Sequence, residues 1–362
     1  MKTKYYFPVM LLTAVFLSSC LKEDELVRPF SSFRPVAMDD GWSLSWPSKE
    51  KVDSLALVQI YKDLYDHEKA WTLKSILVFR NGKLIAESYP KDDDERTHYN
   101  AIWSCTKQVT AIATGIAIHN GLIESVDDPI SKYIPGAVSN HGDKKDITLA
   151  QLLTMRSGIY FDNDKETDVF RTHSTENSVD YVLSNELKWE PGTHYQYNDG
   201  NPQIVSAVVQ SAVGMTLAEY TKLQFFSKIG LTRYEWKDYS DGITLGAIGL
   251  MMPARELAKV SQCVCDSGMW NNEQVIPRDW LREMLTIRVP DVHDDVGFGY
   301  YWWISDERKL VHTHGHGGQY SVIYPLKRLI VQVTALEELG GDVGLSPAEI
   351  YTFTDRVNAI AE

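Results

Sequence analysis

The sequence predicts an α+β fold in which both ends of the chain build one antiparallel sheet and a helical region is inserted between them. Three observations carry this. Ser75 to Phe79 and Lys83 to Tyr89 are β-like runs on either side of Asn81-Gly82, a pair whose tolerance of positive φ suits a tight hairpin. Val311 to His316, Tyr320 to Tyr324 and Leu329 to Ala335 form three more strand-like runs near the other end, with Pro325 to Arg328 as a turn. Between them, from about Ser104 to Met284, helical spacing dominates.

The elements follow in chain order. Met1-Lys2-Thr3-Lys4 and the apolar run Tyr5 to Phe16 have the basic start and length of an export signal, too short for an ordinary membrane span. From 21 to 52 the chain has Pro29, Pro35 and Pro47 and no sustained period, so it reads as a tether. The folded body is expected at 53–362, with a sheet part at 53–100 and 286–362 and a helical part at 101–285. Leu57, Ile60, Tyr61 and Leu64 form the apolar stripe of an opening helix. Val109, Ile112 and Ile116 do the same in a helix ended by Asn120-Gly121. A closing helix starts at Ser346-Pro347-Ala348-Glu349, a capping box with Pro at the first helical position, and turns Ile350, Phe353 and Val357 inward. These terminal helices flank a sheet of five predicted strands.

A length of 362 residues and 44% hydrophobic content suit an enzyme-sized globular body. A net charge of -13, with no compensating basic cluster, argues against nucleic acid or anionic membrane as a general partner. Cys105, Cys263 and Cys265 are too few and too close for a disulfide framework, and the one-residue gap between the last two is not a metal or redox spacing, so they read as core thiols.

Ser104 and Lys107 lie one helical turn apart at the start of the helix that carries Val109, so their side chains can touch. A serine hydroxyl becomes a nucleophile when a neighbour takes its proton, and a lysine does so once burial or positive surroundings lower its pKa. The helix N-terminus is expected to favour a neutral Lys107 and a developing oxyanion. Cys105 points about 100° away and reads as a buried thiol.

This segment resembles the nucleophile helix of the serine β-lactamase and penicillin-binding-protein superfamily. Ile147-Thr148-Leu149-Ala150-Gln151-Leu152-Leu153-Thr154-Met155-Arg156-Ser157-Gly158-Ile159 is similar to its "ITL-x-x-LLTM-x-SG" stretch, and Val126-Asp127-Asp128-Pro129 with Tyr133-Ile134-Pro135 is similar to the linker before it. The resemblance runs from about Ser75 to Ala335. It implies a β-lactamase/transpeptidase-like fold and an acyl-enzyme mechanism that needs no cofactor.

Residue by residue, the resemblance assigns Ser104 as nucleophile and Lys107 as its proton-transfer partner. Pro191-Gly192-Thr193-His194-Tyr195-Gln196-Tyr197-Asn198-Asp199 resembles the Tyr-x-Asn box, with Tyr197 as a proton relay and Tyr195 as the alternative register. Asp199 stands where the family has an asparagine that contacts substrate, a departure shared with the esterase and 6-aminohexanoate-dimer-hydrolase-like branch. Thr313-His314-Gly315-His316-Gly317-Gly318-Gln319 resembles the third box, in which the backbone N–H of His316 joins that of Ser104 as an oxyanion hole. Gly315 keeps the approach close, and His314 replaces the residue that meets a substrate carboxylate or carbonyl. His312, His314 and His316 share a strand face, but successive same-face residues are about 7 Å apart, which disfavours a shared zinc. His312 is then structural. The rings of Gly299-Tyr300-Tyr301-Trp302-Trp303 fill the core, one of them facing the cleft.

Leu17-Ser18-Ser19-Cys20 resembles a bacterial lipobox. It implies lipidation of Cys20, membrane attachment through that lipid and a place in the bacterial envelope, at the outer membrane or cell surface. The expected substrate is a small molecule or a peptidoglycan-derived fragment: an ester, an amide or a D-amino-acid peptide, with little turnover of penicillins. The alternatives are a slowly acylating peptidoglycan or β-lactam receptor and an inactive surface lipoprotein.

Overall fold

The computed structural model describes residues 27–293, 295–336 and 344–362. The export signal and Cys20 therefore lie outside the described residues. A nine-stranded sheet forms the centre, in the order Ser43–Leu44, Lys83–Ser88, Leu73–Arg80, Leu329–Ala335, Gln319–Tyr324, Leu310–Gly315, Trp303–Ser305, Val296–Phe298, Val289–His293. Neighbours are antiparallel except at the first pair, where Ser43 and Leu44 run parallel to Lys83 and Leu84. The five expected strands are the middle of this sheet. Their hairpin turns at Asn81 and Gly82, both with positive φ, 52° and 76°.

Alternation along the central strands explains why the sheet needs cover on both faces. Ile76 and Val78 belong to one apolar cluster with Leu57, Ile60 and Phe353, whereas Leu77 and Phe79 belong to another with the helical region. Helices Ser54–Tyr65 and Pro347–Ala359 cover the first face, each started as the sequence indicates. The Asp53 carboxylate accepts from the N–H groups of Leu55 and Ala56, and Ser346 and Glu349 cap reciprocally.

Helix Ala254–Cys265 crosses the second face, with Ser261 Oγ 2.6 Å from Ser321 Oγ. Beyond it, helix Thr106–His119 is buried all round from Thr106 to Ala117 and packs on helix Gly200–Val213. This helix buries polar as well as apolar side chains, and the turn that precedes it packs against strand Leu310–Gly315 of the sheet.

Two expectations change. Four strands beyond the expected five extend the sheet. They are two to five residues long, too short for a period to show, and one of them contains Gly297. Residues 27–52, expected as a tether, lie on the body. Phe33 and Trp42 are buried, Trp42 Nε1 donates to Arg255 O at 3.0 Å, and Val52 bridges Ala361. The holding group is Arg255, 2% exposed, which pairs with Asp40 at 2.7 Å and Glu87 at 3.0 Å and donates to Val36 O. A buried cation with two carboxylates fastens a segment that has no helical or strand period of its own.

Candidate active site

Ser104 sits in a single 3₁₀ turn, Trp103–Cys105, that leads into helix Thr106–His119. The residue before it, Trp103, has φ 48°, a left-handed backbone that costs a bulky residue free energy and that its surroundings must hold. The Trp103 ring lies 5.3 Å from the His316 ring and 5.4 Å from the Arg171 guanidinium carbon. Gly315 faces this turn from the sheet. A Cβ there would run into Ile102 O and crowd Cys105 Sγ. The need for glycine thus comes from the backbone that leads into the Ser104 turn.

Lys107 is fully buried. Its Nζ donates to Ser104 Oγ at 2.6 Å and to Ala247 O at 3.2 Å, and lies 2.7 Å from Asp199 Oδ1. The Tyr197 hydroxyl is hydrogen-bonded to both Ser104 and Lys107. Its ring stacks on Trp303 at 5.7 Å and meets Phe298 edge-on at 6.2 Å. The Tyr195 hydroxyl has no such partner, so the structure brings Tyr197, not Tyr195, to the serine.

Electrostatics here differ from the expected neutral lysine. Burial pushes the Lys107 pKa down, but the Asp199 carboxylate, with a smaller contribution from Tyr197, more than offsets it, and the net shift is upward. Lys107 therefore stands as an ammonium at neutral pH. Burial raises Tyr197, partly countered by the charge of Lys107. The Cys105 thiol, buried under the same turn, is pushed up to about 12 and donates to Thr313 Oγ1 at 3.3 Å. It is an inert thiol.

Asp199 is held from three sides: Lys107 on Oδ1, Thr167 Oγ1 donating to Oδ2 at 2.7 Å, and its own N–H donating to Asn163 Oδ1 at 2.9 Å. Asn163 and Thr167 belong to helix Asn163–Thr172, and sequence reasoning missed both, since nothing local marks them. The Ile147–Ile159 stretch serves as a backing. A capping box at Thr148 and Gln151 starts its helix, Met155 O accepts from Gln196 N at 2.9 Å, and Arg156 O accepts from Gly192 N at 2.7 Å. These bonds place the Tyr197 segment against the Ser104 helix.

His314 lines the cleft with Nε2 2.9 Å from Tyr320 Oη and its ring stacked on Tyr320 at 4.4 Å. Burial, and then the neighbouring His293, His316 and Lys107, lower its pKa to about 4. His314 is thus neutral at pH 7 and supplies no cation for a substrate carboxylate. His312 is fully buried with Nε2 2.7 Å from Tyr351 Oη, and His316 stands in the turn after the strand. The three histidines have separate partners, and among the described residues no group of His, Cys, Asp or Glu could hold a metal ion. Ser104, Tyr197, Asp199, Trp303 and His314 open onto a cleft of about 680 Å³.

Residues 74–339 match the family described as Beta-lactamase. The chain belongs to the beta-lactamase family. The chain is similar to 6-aminohexanoate-dimer hydrolase of Paenarthrobacter ureafaciens, 24% identical over 75% of both chains. Protein flp of Staphylococcus aureus is 26% identical over 48% of this chain, which spans 37% of that relative's length. Among solved structures, a penicillin-binding protein from Bacillus halodurans is 21% identical and superposes with a TM-score of 0.63 over 83% of this chain and 99% of its own. D-alanine carboxypeptidase AmpC from Burkholderia cenocepacia is 17% identical, with a TM-score of 0.61 over 84% and 98%. The β-lactamase/transpeptidase-like fold expected from the sequence is the fold observed, and among these relatives one is named a hydrolase and another a carboxypeptidase.

Proposed function

We propose that this member of the beta-lactamase family is a serine hydrolase that forms an acyl-enzyme at Ser104 with an ester, a small amide or a D-amino-acid peptide. The supporting observation is Ser104 Oγ at 2.6 Å from Lys107 Nζ, with the Tyr197 hydroxyl on both, at the floor of an open cleft. In the acylation step the Lys107–Tyr197 pair, having first released one proton to solvent, takes the Ser104 proton as Oγ bonds to the acyl carbon and the carbonyl electrons move onto oxygen. The backbone N–H groups of Ser104 and His316 receive that oxyanion, each such donor being worth about 3 kcal/mol of barrier. Collapse expels the alcohol or amine, protonated by the pair, and water repeats the sequence on the acyl-enzyme.

Two features favour esters and small amides over penicillins. The Asp199 carboxylate accepts hydrogen bonds and cannot donate one to an acylamino carbonyl as the asparagine of the resembled box would. His314 is a neutral ring where a cation would meet the β-lactam carboxylate. Hydrolysis of a panel of short-chain nitrophenyl esters by the wild type, its loss in Ser104→Ala, and slow turnover of a penicillin are the expected results. Ester hydrolysis that survives Ser104→Ala removes the reading.

A further inference from the structure

We propose that Asp199 is the counter-ion of the nucleophile's base: a positioning residue that keeps the Lys107–Tyr197 pair loaded with a proton and so moves acylation of Ser104 towards alkaline pH. The inference rests on the reading of Ser104 as nucleophile and deepens it. The sequence places Asp199 in a substrate-contacting role; in the structure it stands at the wall of the cleft with both carboxylate oxygens engaged by the protein's own side chains. One oxygen is 2.7 Å from Lys107 Nζ, the other receives the Thr167 hydroxyl at 2.7 Å, and the main chain is pinned by Asn163. The residue is 4% exposed and Lys107 is fully buried.

Each element packed around Lys107 contributes to the argument. The turn before its helix supplies Ser104 and the Cys105 thiol, the segment across the cleft supplies Tyr197 and Asp199, and Ala247 supplies a carbonyl. The sheet presents neutral His314, and the Tyr301 hydroxyl lies behind Tyr197. Asp199 is the carboxylate in this set. The resting site therefore holds a charged lysine, a neutral phenol and a carboxylate.

An ammonium has no lone pair with which to take the Ser104 proton, and a neutral phenol is a poor acceptor. One proton must first leave the Lys107–Tyr197 pair for solvent. The pair titrates as a unit, whichever of the two atoms is bare in the reactive form. Once bare, the pair takes the Ser104 proton as Oγ bonds to the acyl carbon, and gives it to the leaving group as that bond breaks, so protons balance over the acylation. A carboxylate at 2.7 Å stabilises the loaded form and raises the pH at which the first proton leaves. Asparagine at this position, nearly the same shape without the charge, lowers it.

The test is the pH dependence of the second-order rate of Ser104 phosphonylation by a fluorophosphonate, measured on the wild type and on Asp199→Asn by intact mass. The wild-type rate should still be climbing at the alkaline end of the range in which the protein stays folded. The profile of Asp199→Asn should move down by about one to three pH units, whatever happens to its maximum. At a fixed pH on the rising limb, that is a gain of about tenfold or more relative to its own plateau. A structural role alone would change amplitude and leave the midpoint in place. A wild-type rate that is flat through neutral pH overturns the inference without any variant, and a variant that labels with an unshifted midpoint overturns it too. Absence of any Ser104 adduct in the wild type overturns the serine-hydrolase reading and this inference with it.

Discussion

Two buried cations with carboxylate partners, Lys107 and Arg255, show what separates a candidate site from a clamp. Both are buried, and both have an ion pair at 2.7 Å. Arg255 makes four hydrogen bonds, all to the scaffold: two to Glu87, one to Asp40 and one to Val36 O. Lys107 spends one donor on a serine that faces an open cleft. Burial and ion pairing are therefore shared by scaffold and site. The distinguishing feature is a hydroxyl oxygen that opens onto a cleft.

Breaking each cation should separate the two roles. For Lys107→Met the largest effect is expected on chemistry, a fall in ester hydrolysis of about 10²–10⁴-fold, the range for loss of a positioned proton-transfer group. Thr167 and the Asn163 side chain still hold Asp199, so kcat/KM should fall far more than the melting temperature. For Arg255→Met the expected effect is on stability, about 3–5 kcal/mol, because two buried carboxylates lose their cation. Urea unfolding measures it, and the folded fraction should still label at Ser104. A loss of labelling in fully folded Arg255→Met would merge the two regions into one functional unit. The smallest effect is expected for Tyr195→Phe, whose buried hydroxyl has no hydrogen-bond partner among the described residues. Its activity should stay within about twofold of the wild type, and its stability within about 1 kcal/mol.

The same contrast explains how far the sequence could be read. Ser104 and Lys107 are neighbours on one helical turn, but that spacing is common; what singles them out, and Tyr197 with them, is the resemblance of the surrounding boxes to a known family. Asp199 was visible as a departure, but its partner Thr167 lies 32 positions away on another helix, and only the fold makes the pair. Arg255 and Asp40 are 215 positions apart. The segment around Asp40 has single buried residues such as Phe33 and Trp42 with no period between them, which is why it read as a tether. Four edge strands escaped for a related reason, since two to five residues do not establish alternation. Gly315 is read from the sequence as small so that backbone and substrate can approach closely; the group the structure sets against it is Ile102 O, 213 positions earlier, a neighbour fixed only by the meeting of the Ser104 turn and the sheet.

The most direct test of the central claim is peptide mapping of the protein after treatment with a fluorophosphonate. The account predicts a single adduct, on the peptide that contains Ser104, formed by the wild type and absent from Ser104→Ala. An adduct on any other residue, or none on the folded wild type, would contradict it.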